Sequence, residues 1–192
     1  MTRRRREAGI FWSVGLTVVI LDASTKLLAV AFLSPQRMQH PVIGDTLRWT
    51  LVYNPGAAFG LHLGEHSRWI FTLLTFGALA ILWRLYAHSH RGERLRALAV
   101  ALVAGGAVGN LIDRLRSPLG VVDFIDAGIG DARWPTFNVA DMAVSVGALL
   151  LAYVLWMEEE PAALPSSAAT LHAAGDYPTP PAPVPAEHAE PR

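Results

Sequence analysis

Acidic side chains are rare in apolar helices, yet Asp22 lies inside the 24-residue apolar run Ile10–Leu33, and Asp113, Asp123 and Asp141 gather at the facing ends of two more such runs. A carboxylate at membrane depth costs several kcal/mol, so by default it marks a working site. Carboxylates held in pairs cannot both ionise cheaply; one keeps a proton, and the pair can act as general acid and general base on one bond. Asn110, Arg114 and Asn138 stand beside these aspartates, and Asn54 lies in an earlier loop. Residue type and spacing alone offer Asp141 together with Asp113, Asp123 or Asp126, and do not choose among them.

Four elements must carry these groups. The runs Ile10–Leu33, Trp69–Ala87, Leu95–Ile112 and Val139–Trp156 are each near the roughly 20 helical residues that cross about 30 Å of hydrocarbon. They lack the period-two alternation of barrel strands, so an all-α integral membrane protein is expected, a four-helix transmembrane bundle. With 52% hydrophobic against 17% charged residues, and a mean hydropathy of +0.32, the chain is too apolar for an ordinary soluble domain of this length. Residues 1–9 form a short N-terminal segment and 10–157 the membrane domain. From Pro161 onward the chain is rich in Ala and Pro, with eight of its thirteen prolines, so 158–192 is expected to be a disordered tail. The first long loop alternates through Leu47-Arg48-Trp49-Thr50-Leu51-Val52-Tyr53, bounded by Asp45 and the turn Asn54-Pro55-Gly56, and reads as a strand or hairpin at the membrane surface.

Arginine placement orients the bundle. Arg3–Arg6 precede the first span, and Arg84, Arg91, Arg94 and Arg96 crowd the short second connection, while the two longer loops carry theirs thinly. Positive-inside bias puts both termini in the cytoplasm. At 1.5 Å per residue Asp22 is then roughly 18 Å from the inner end of its helix and Lys26 about 24 Å, one turn apart on one face in the outer half of the bilayer. Asn110, Asp113 and Arg114 fall at the outer end of the third helix, Asn138 and Asp141 at the outer start of the fourth, and Asn54 and Asp123 in the two outer loops. Separate regions of sequence thus deliver polar groups to one level, which is the pattern of a site.

Several of these residues also have unreactive readings. Asp22 and Lys26 suffice as a neutralising pair that locks the first helix into the bundle. Asp141, three residues after Asn138, is a favourable acid in a first helical turn. Gly105-x-x-x-Gly109 is a close-packing face rather than chemistry, and Arg114 and Arg116 suit interfacial anchors. His62-Leu63-Gly64-Glu65-His66 matches a zinc signature literally, but that motif needs both histidines on one helical face and Gly64 interrupts it. No cysteine is present, so disulfides and thiol catalysis are excluded, and neither phosphate-binding nor basic–aromatic nucleic-acid motifs occur. Arg3–Arg6, an apolar run and Ala29-Val30-Ala31 outline a cleavable leader, but Asp22 and Lys26 break it. A proton or ion transporter would need polar groups at mid-depth and access from both sides, whereas the second helix and the inner halves of the others are almost purely apolar.

Five blocks occur in order: Asp22-Ala-Ser-Thr-Lys26, Asn54-Pro-Gly-Ala-Ala-Phe59, Gly105-Gly-Ala-Val-Gly-Asn-Leu-Ile-Asp-Arg114, Val121-Val-Asp-Phe124 and Phe137-Asn-Val-Ala-Asp141. Together they resemble the lipoprotein signal peptidases, also called signal peptidase II, over residues 22–141. The resemblance implies a membrane aspartyl endopeptidase without cofactor or metal, cutting lipid-modified prolipoproteins just before the diacylglyceryl-cysteine at the outer face of the bacterial cytoplasmic membrane. It implies Asp123 and Asp141 as the catalytic pair. Asn54, Asn110, Arg114 and Asn138 would bind substrate backbone or shape the pocket, and Asp113, Asp22 and Lys26 would support it. The expected partners are the prolipoprotein and the phospholipid bilayer, with no nucleic acid and a monomeric enzyme.

Overall fold

A computed structural model of the chain describes residues 3–56, 64–88 and 94–158. The expected tail, Arg91, and residues 57–63 with Ala57, Ala58, Phe59 and His62 lie outside them. The chain divides into two units, Met1–Glu158 and Glu159–Arg192, and every described element belongs to the first.

In order, the elements are α1 (Arg3–Phe32), β1 (Gln39–Ile43), β2 (Leu47–Asn54), a 3-10 turn (Gly64–His66), α2 (Ser67–Ala87), α3 (Arg94–Arg116), β3 (Val121–Ile129), β4 (Ala132–Arg133) and α4 (Val139–Glu158). All four helices are long and apolar enough to cross a membrane. α1 starts seven residues before the apolar run because consecutive arginines are good helix formers and extend it past the hydrocarbon-length core.

The helices are apolar on the outside as well as within. Leu73 on α2 and Leu149 and Trp156 on α4 are each more than 70% exposed, the pattern of surfaces made for lipid rather than water. Close packing centres on α3, whose Ala97, Ala99, Val100, Ala101, Gly105, Gly106 and Gly109 are buried. A Cβ on Gly105 would stand 2.9 Å from the Gly15 carbonyl of α1, and one on Gly147 of α4 would stand 2.8 Å from the Leu102 side chain. Small residues here let backbones touch where lipid supplies no hydrophobic drive for helix association. At the end remote from the sheet, Phe11 of α1 stacks on Tyr86 of α2 with ring centroids 4.3 Å apart, over Leu82 and Val100.

The sheet is antiparallel in the order β1-β2-β3-β4. The reading of Leu47–Tyr53 as a strand is met by β2, but its second neighbour, β3, comes from the other long loop, which the sequence pattern left without a strand. Pairing Trp49 with Ile125, Val52 with Asp123 and Asn54 with Val121 joins the two loops into one surface. The register shifts between Trp49 and Val52, beside Asp123, a bulge of the kind that re-aims side chains next to sites. At the start of β3, Gly120 has φ +97°, and any Cβ there would strike the backbone of Asn54 and Pro55. Only glycine lets β2 end so close to β3.

Candidate active site

Asn138 is the hub, and its place follows from local chemistry. It precedes α4 and caps it: Asn138 Oδ1 accepts from the Asp141 amide at 2.9 Å, while Asp141 Oδ2 accepts from the Asn138 amide at 3.1 Å. This is a reciprocal capping box with aspartate in the returning position. The cap leaves the Asn138 amide group free to point at β3, where Nδ2 donates to Asp123 Oδ1 at 2.7 Å, with the Val122 carbonyl and Asn110 Oδ1 both at 3.2 Å. Fully buried, one asparagine therefore touches both carboxylates.

Other asparagines complete the link. Asn110 of α3 donates Nδ2 to Asp141 Oδ1 at 2.8 Å. Asn54, at the end of β2, donates Nδ2 to Asp123 Oδ2 at 3.0 Å and accepts from the Gly56 amide at 3.0 Å, so the turn orients it. Each carboxylate oxygen has two lone pairs, and these contacts leave acceptor capacity on both acids. Asp123 is 2% exposed. Burial, and then the neighbouring Asp141 charge, push its carboxyl up to about 7, against the opposing hydrogen bonds from Asn54 and Asn138 and the Lys26 charge.

Beneath the pair lies a second cluster. Lys26 Nζ contacts Asp22 Oδ2 at 2.7 Å, Asp113 Oδ2 at 2.8 Å and Asn110 Oδ1 at 2.9 Å, so each of its three N–H bonds has an acceptor. Asp22 Oδ1 accepts from the Ala140 amide at 2.9 Å, one of the free donors at the start of α4. Asp113 Oδ2 also accepts from the Val122 amide at 3.2 Å, next to Asp123. Gly109 makes room: a Cβ there would lie 2.5 Å from Asp22 Oδ2. Arg114 is half-buried on α3 within electrostatic reach of Asp141, Asp123 and Asp113, and its buried Nε has no hydrogen-bond partner among the described residues.

Two clefts of about 300 Å³ each flank this arrangement. One lies between α1 and α3, lined by Asp22, Lys26, Tyr53, Asp113 and Val122. The other is apolar, formed by Leu28, Ala29 and Phe32 of α1 and Leu33 just after it, with Trp49 and Phe124 of the sheet.

Residues 14–157 match the family model described as signal peptidase (SPase) II. The chain belongs to the lipoprotein signal peptidase family. Lipoprotein signal peptidases of Burkholderia mallei and Burkholderia pseudomallei are 42% identical to it over 143 residues, 73% of this chain and 83% of theirs. That of Mycobacterium leprae is 42% identical over 156 residues, 76% of this chain and 71% of its own. A bacterial membrane enzyme structure obtained by the in meso method at 2.3 Å resolution superposes with a TM-score of 0.71 at 30% identity, covering 79% of this chain and 90% of that one. Another, at 1.9 Å resolution, gives a TM-score of 0.67 at 32% identity over 77% and 92%. As a lipoprotein signal peptidase the chain is a peptidase that removes signal peptides from prolipoproteins.

The nine residues singled out from sequence, Asp22, Lys26, Asn54, Asn110, Asp113, Arg114, Asp123, Asn138 and Asp141, fall in this one connected region. Asp126 does not join them: Arg133 holds it 2.8 Å away in an ion pair. Of the two zinc-like histidines, only His66 is among the described residues. Gly64–His66 is a 3-10 turn, α2 starts only at Ser67, and so His66 is on no helical face that could match the motif. Gly109 packs against α1 and α4 as its Gly105-x-x-x-Gly109 spacing led one to expect; Arg133 was not singled out. Arg133 had a signal, being the one basic residue between Ser117 and Asn138.

Proposed function

We propose that the chain is an aspartyl endopeptidase whose catalytic pair is Asp123 and Asp141, cutting lipid-modified prolipoproteins before the diacylglyceryl-cysteine. The observation that carries this is Asn138 bonded to both carboxylates, from its side chain to Asp123 and from its backbone amide to Asp141. The pair holds one proton, and burial favours it on Asp123 near neutrality. Asp141 draws a proton from a water between the two as that water attacks the scissile carbonyl. Asp123 gives its proton to the carbonyl oxygen, and the roles reverse as the amine leaves. Two carboxylates and a water complete the chemistry with no cofactor. Asn54, Asn110 and Asn138 hold the acids, Arg114 offers a donor to substrate, and Asp22, Lys26 and Asp113 are support. The apolar groove beginning at Phe124, next to Asp123, suits a substrate that carries lipid.

The reading extends to placement. The unit over 10–157 spans the bacterial cytoplasmic membrane with both termini inside and the sheet at the outer face, and 158–192 is a cytoplasmic tail. Because one chain supplies both acids and their supports, a monomer suffices.

Asp→Asn keeps shape but removes the acid–base function. Purified Asp123→Asn and Asp141→Asn proteins are expected to fold, bind a lipidated precursor peptide and fail to cleave it, while a chelator leaves wild-type cleavage unchanged. Substantial turnover by Asp123→Asn would return Asp113 to candidacy.

A further inference from the structure

The segment from Val121 to Asp141 carries one acid near its start and the other at its end, so the way it folds back decides whether they meet. Backbone bonds do part of this: the Phe137 amide donates to the Ile125 carbonyl at 3.0 Å, the Ile125 amide donates to the Phe137 carbonyl at 2.8 Å, and the Trp134 amide reaches the Ala127 carbonyl at 2.8 Å. Arg133 does the rest. Its Nε donates to Asp126 Oδ1 at 2.9 Å, and Nη2 donates to the Asp126 carbonyl at 3.1 Å. Its Nη1 crosses to the β1–β2 turn and donates to the Asp45 carbonyl at 2.5 Å. Asp126 Oδ2 in turn accepts from Thr50 Oγ1 of β2 at 3.4 Å.

This ion pair is mostly buried, 19% and 11% exposed at Arg133 and Asp126. Two apolar residues of similar size would give comparable stability, since desolvating a buried pair offsets much of its attraction. What apolar residues lack is direction. A guanidinium is a rigid planar fork, and here it fixes three segments against one another: β3, the returning loop and the β1–β2 turn.

We propose that Arg133, acting with Asp126, is a positioning residue for the cleavage reaction. It fixes the return of the 121–138 loop and so sets the approach of Asn138 to Asp123. It touches no reacting atom. The proposal rests on the Asp123–Asp141 reading of the site.

The test is steady-state cleavage of a lipidated precursor peptide by purified Arg133→Gln, Asp126→Asn, Arg133→Lys and the apolar double variant Asp126→Leu/Arg133→Met, with Asp123→Asn alongside. Thermal midpoints in detergent and the folded fraction are measured for each. Arg133→Gln and Asp126→Asn are expected to lower kcat about 10- to 100-fold per folded molecule, the scale on which small misplacements act, with KM changed by less than about threefold. Arg133→Lys recovers part of this, because an ammonium keeps the charge without the fork. The double variant leaves no unpaired buried charge, so it should fold well and still turn over slowly. Wild-type kcat in the folded double variant, a loss wholly accounted for by folded yield, or a rise in KM alone would each overturn the positioning role. Cleavage by Asp123→Asn would overturn the dyad reading instead; an inert Asp123→Asn beside a fully active Arg133→Gln would sink only the present proposal.

Discussion

In the proposed dyad, the protonation of Asp123 is where residue-scale physics meets activity. Its carboxyl is raised from the usual carboxylate range to about 7 by burial and by Asp141, with Lys26 and Arg114 as the nearby cations and Asn54 and Asn138 as its hydrogen-bond donors. A pair that needs one shared proton loses it as pH rises through that value, so kcat/KM should fall on the alkaline side of about 7. The profile should be bell-shaped and describe the pair, not either residue. Stability follows the same shift with the opposite sense to an ordinary salt-bridged aspartate. Between the unfolded value of 3.8 and about 7 the folded protein binds the proton and the unfolded chain does not, so this group's contribution to stability falls as pH rises across that window. Thermal midpoints of wild type minus Asp123→Asn should therefore decline from pH 4 to pH 7; a flat difference would mean that Asp123 is ionised throughout. Lys26 makes a different prediction. Removing it strands Asp22 and Asp113 in a buried setting, a loss on the order of 3–5 kcal/mol. Lys26→Ala should lower folded yield while each folded molecule keeps some activity, and a stable but dead variant would instead put Lys26 in the chemistry. The sequence alone made these groups conspicuous, because charge in an apolar run is costly, but it could not tell Asp113, Asp123 and Asp126 apart. Their partners do: Asp113 meets Lys26 and Val122, Asp126 meets Arg133, and Asp123 alone shares Asn138 with Asp141.

At the scale of elements, the helices were legible because each is specified by its own run of apolar residues, a local property. The sheet was half legible. β2 alternates and ends in Asn54-Pro55-Gly56, so period and turn chemistry point the same way. β3 reads Val121-Val-Asp-Phe-Ile-Asp, with no clean alternation, and its partner strand lies about seventy residues earlier, a pairing that local pattern does not encode. The meeting of α1, α3 and α4 under that sheet depends on small residues. Gly109→Ala would press a methyl to 2.5 Å from Asp22 Oδ2, and that oxygen cannot retreat without leaving Lys26. Overpacking of this kind typically costs about 1–3 kcal/mol. Gly109→Ala is thus expected to lower the thermal midpoint and activity together. Gly77→Ala on α2, whose Cβ would meet nothing within 4 Å, should change neither. Equal effects from both would mean that helix propensity, not the Asp22 pocket, governs the response.

For the whole molecule, one orientation makes the parts agree. Asn54, Asp123, Asn138 and Asp141 all lie where α1 and α3 end and α2 and α4 begin, and the sheet caps that same end. On the proposed reading the substrate's signal helix lies in lipid while its cleavage site meets water, so the chemistry would belong at a membrane surface rather than at mid-depth. In the proposed topology arginine placement selects which surface: by positive-inside bias Arg3–Arg6 and Arg84–Arg96 would put the opposite end in the cytoplasm. The chain has no cysteine, so single cysteines report position without background. In intact cells Val42→Cys, on the exposed β1 strand, should react with an impermeant thiol reagent. Gly92→Cys, in the connection after α2, should react only after the membrane is permeabilised. Both variants need to retain cleavage for the labelling to describe the native arrangement. The reverse pattern would put the sheet and the two acids on the cytoplasmic side, and the outer-face reading of the site would fall with it, because a substrate already translocated could not reach Asp123 and Asp141 there.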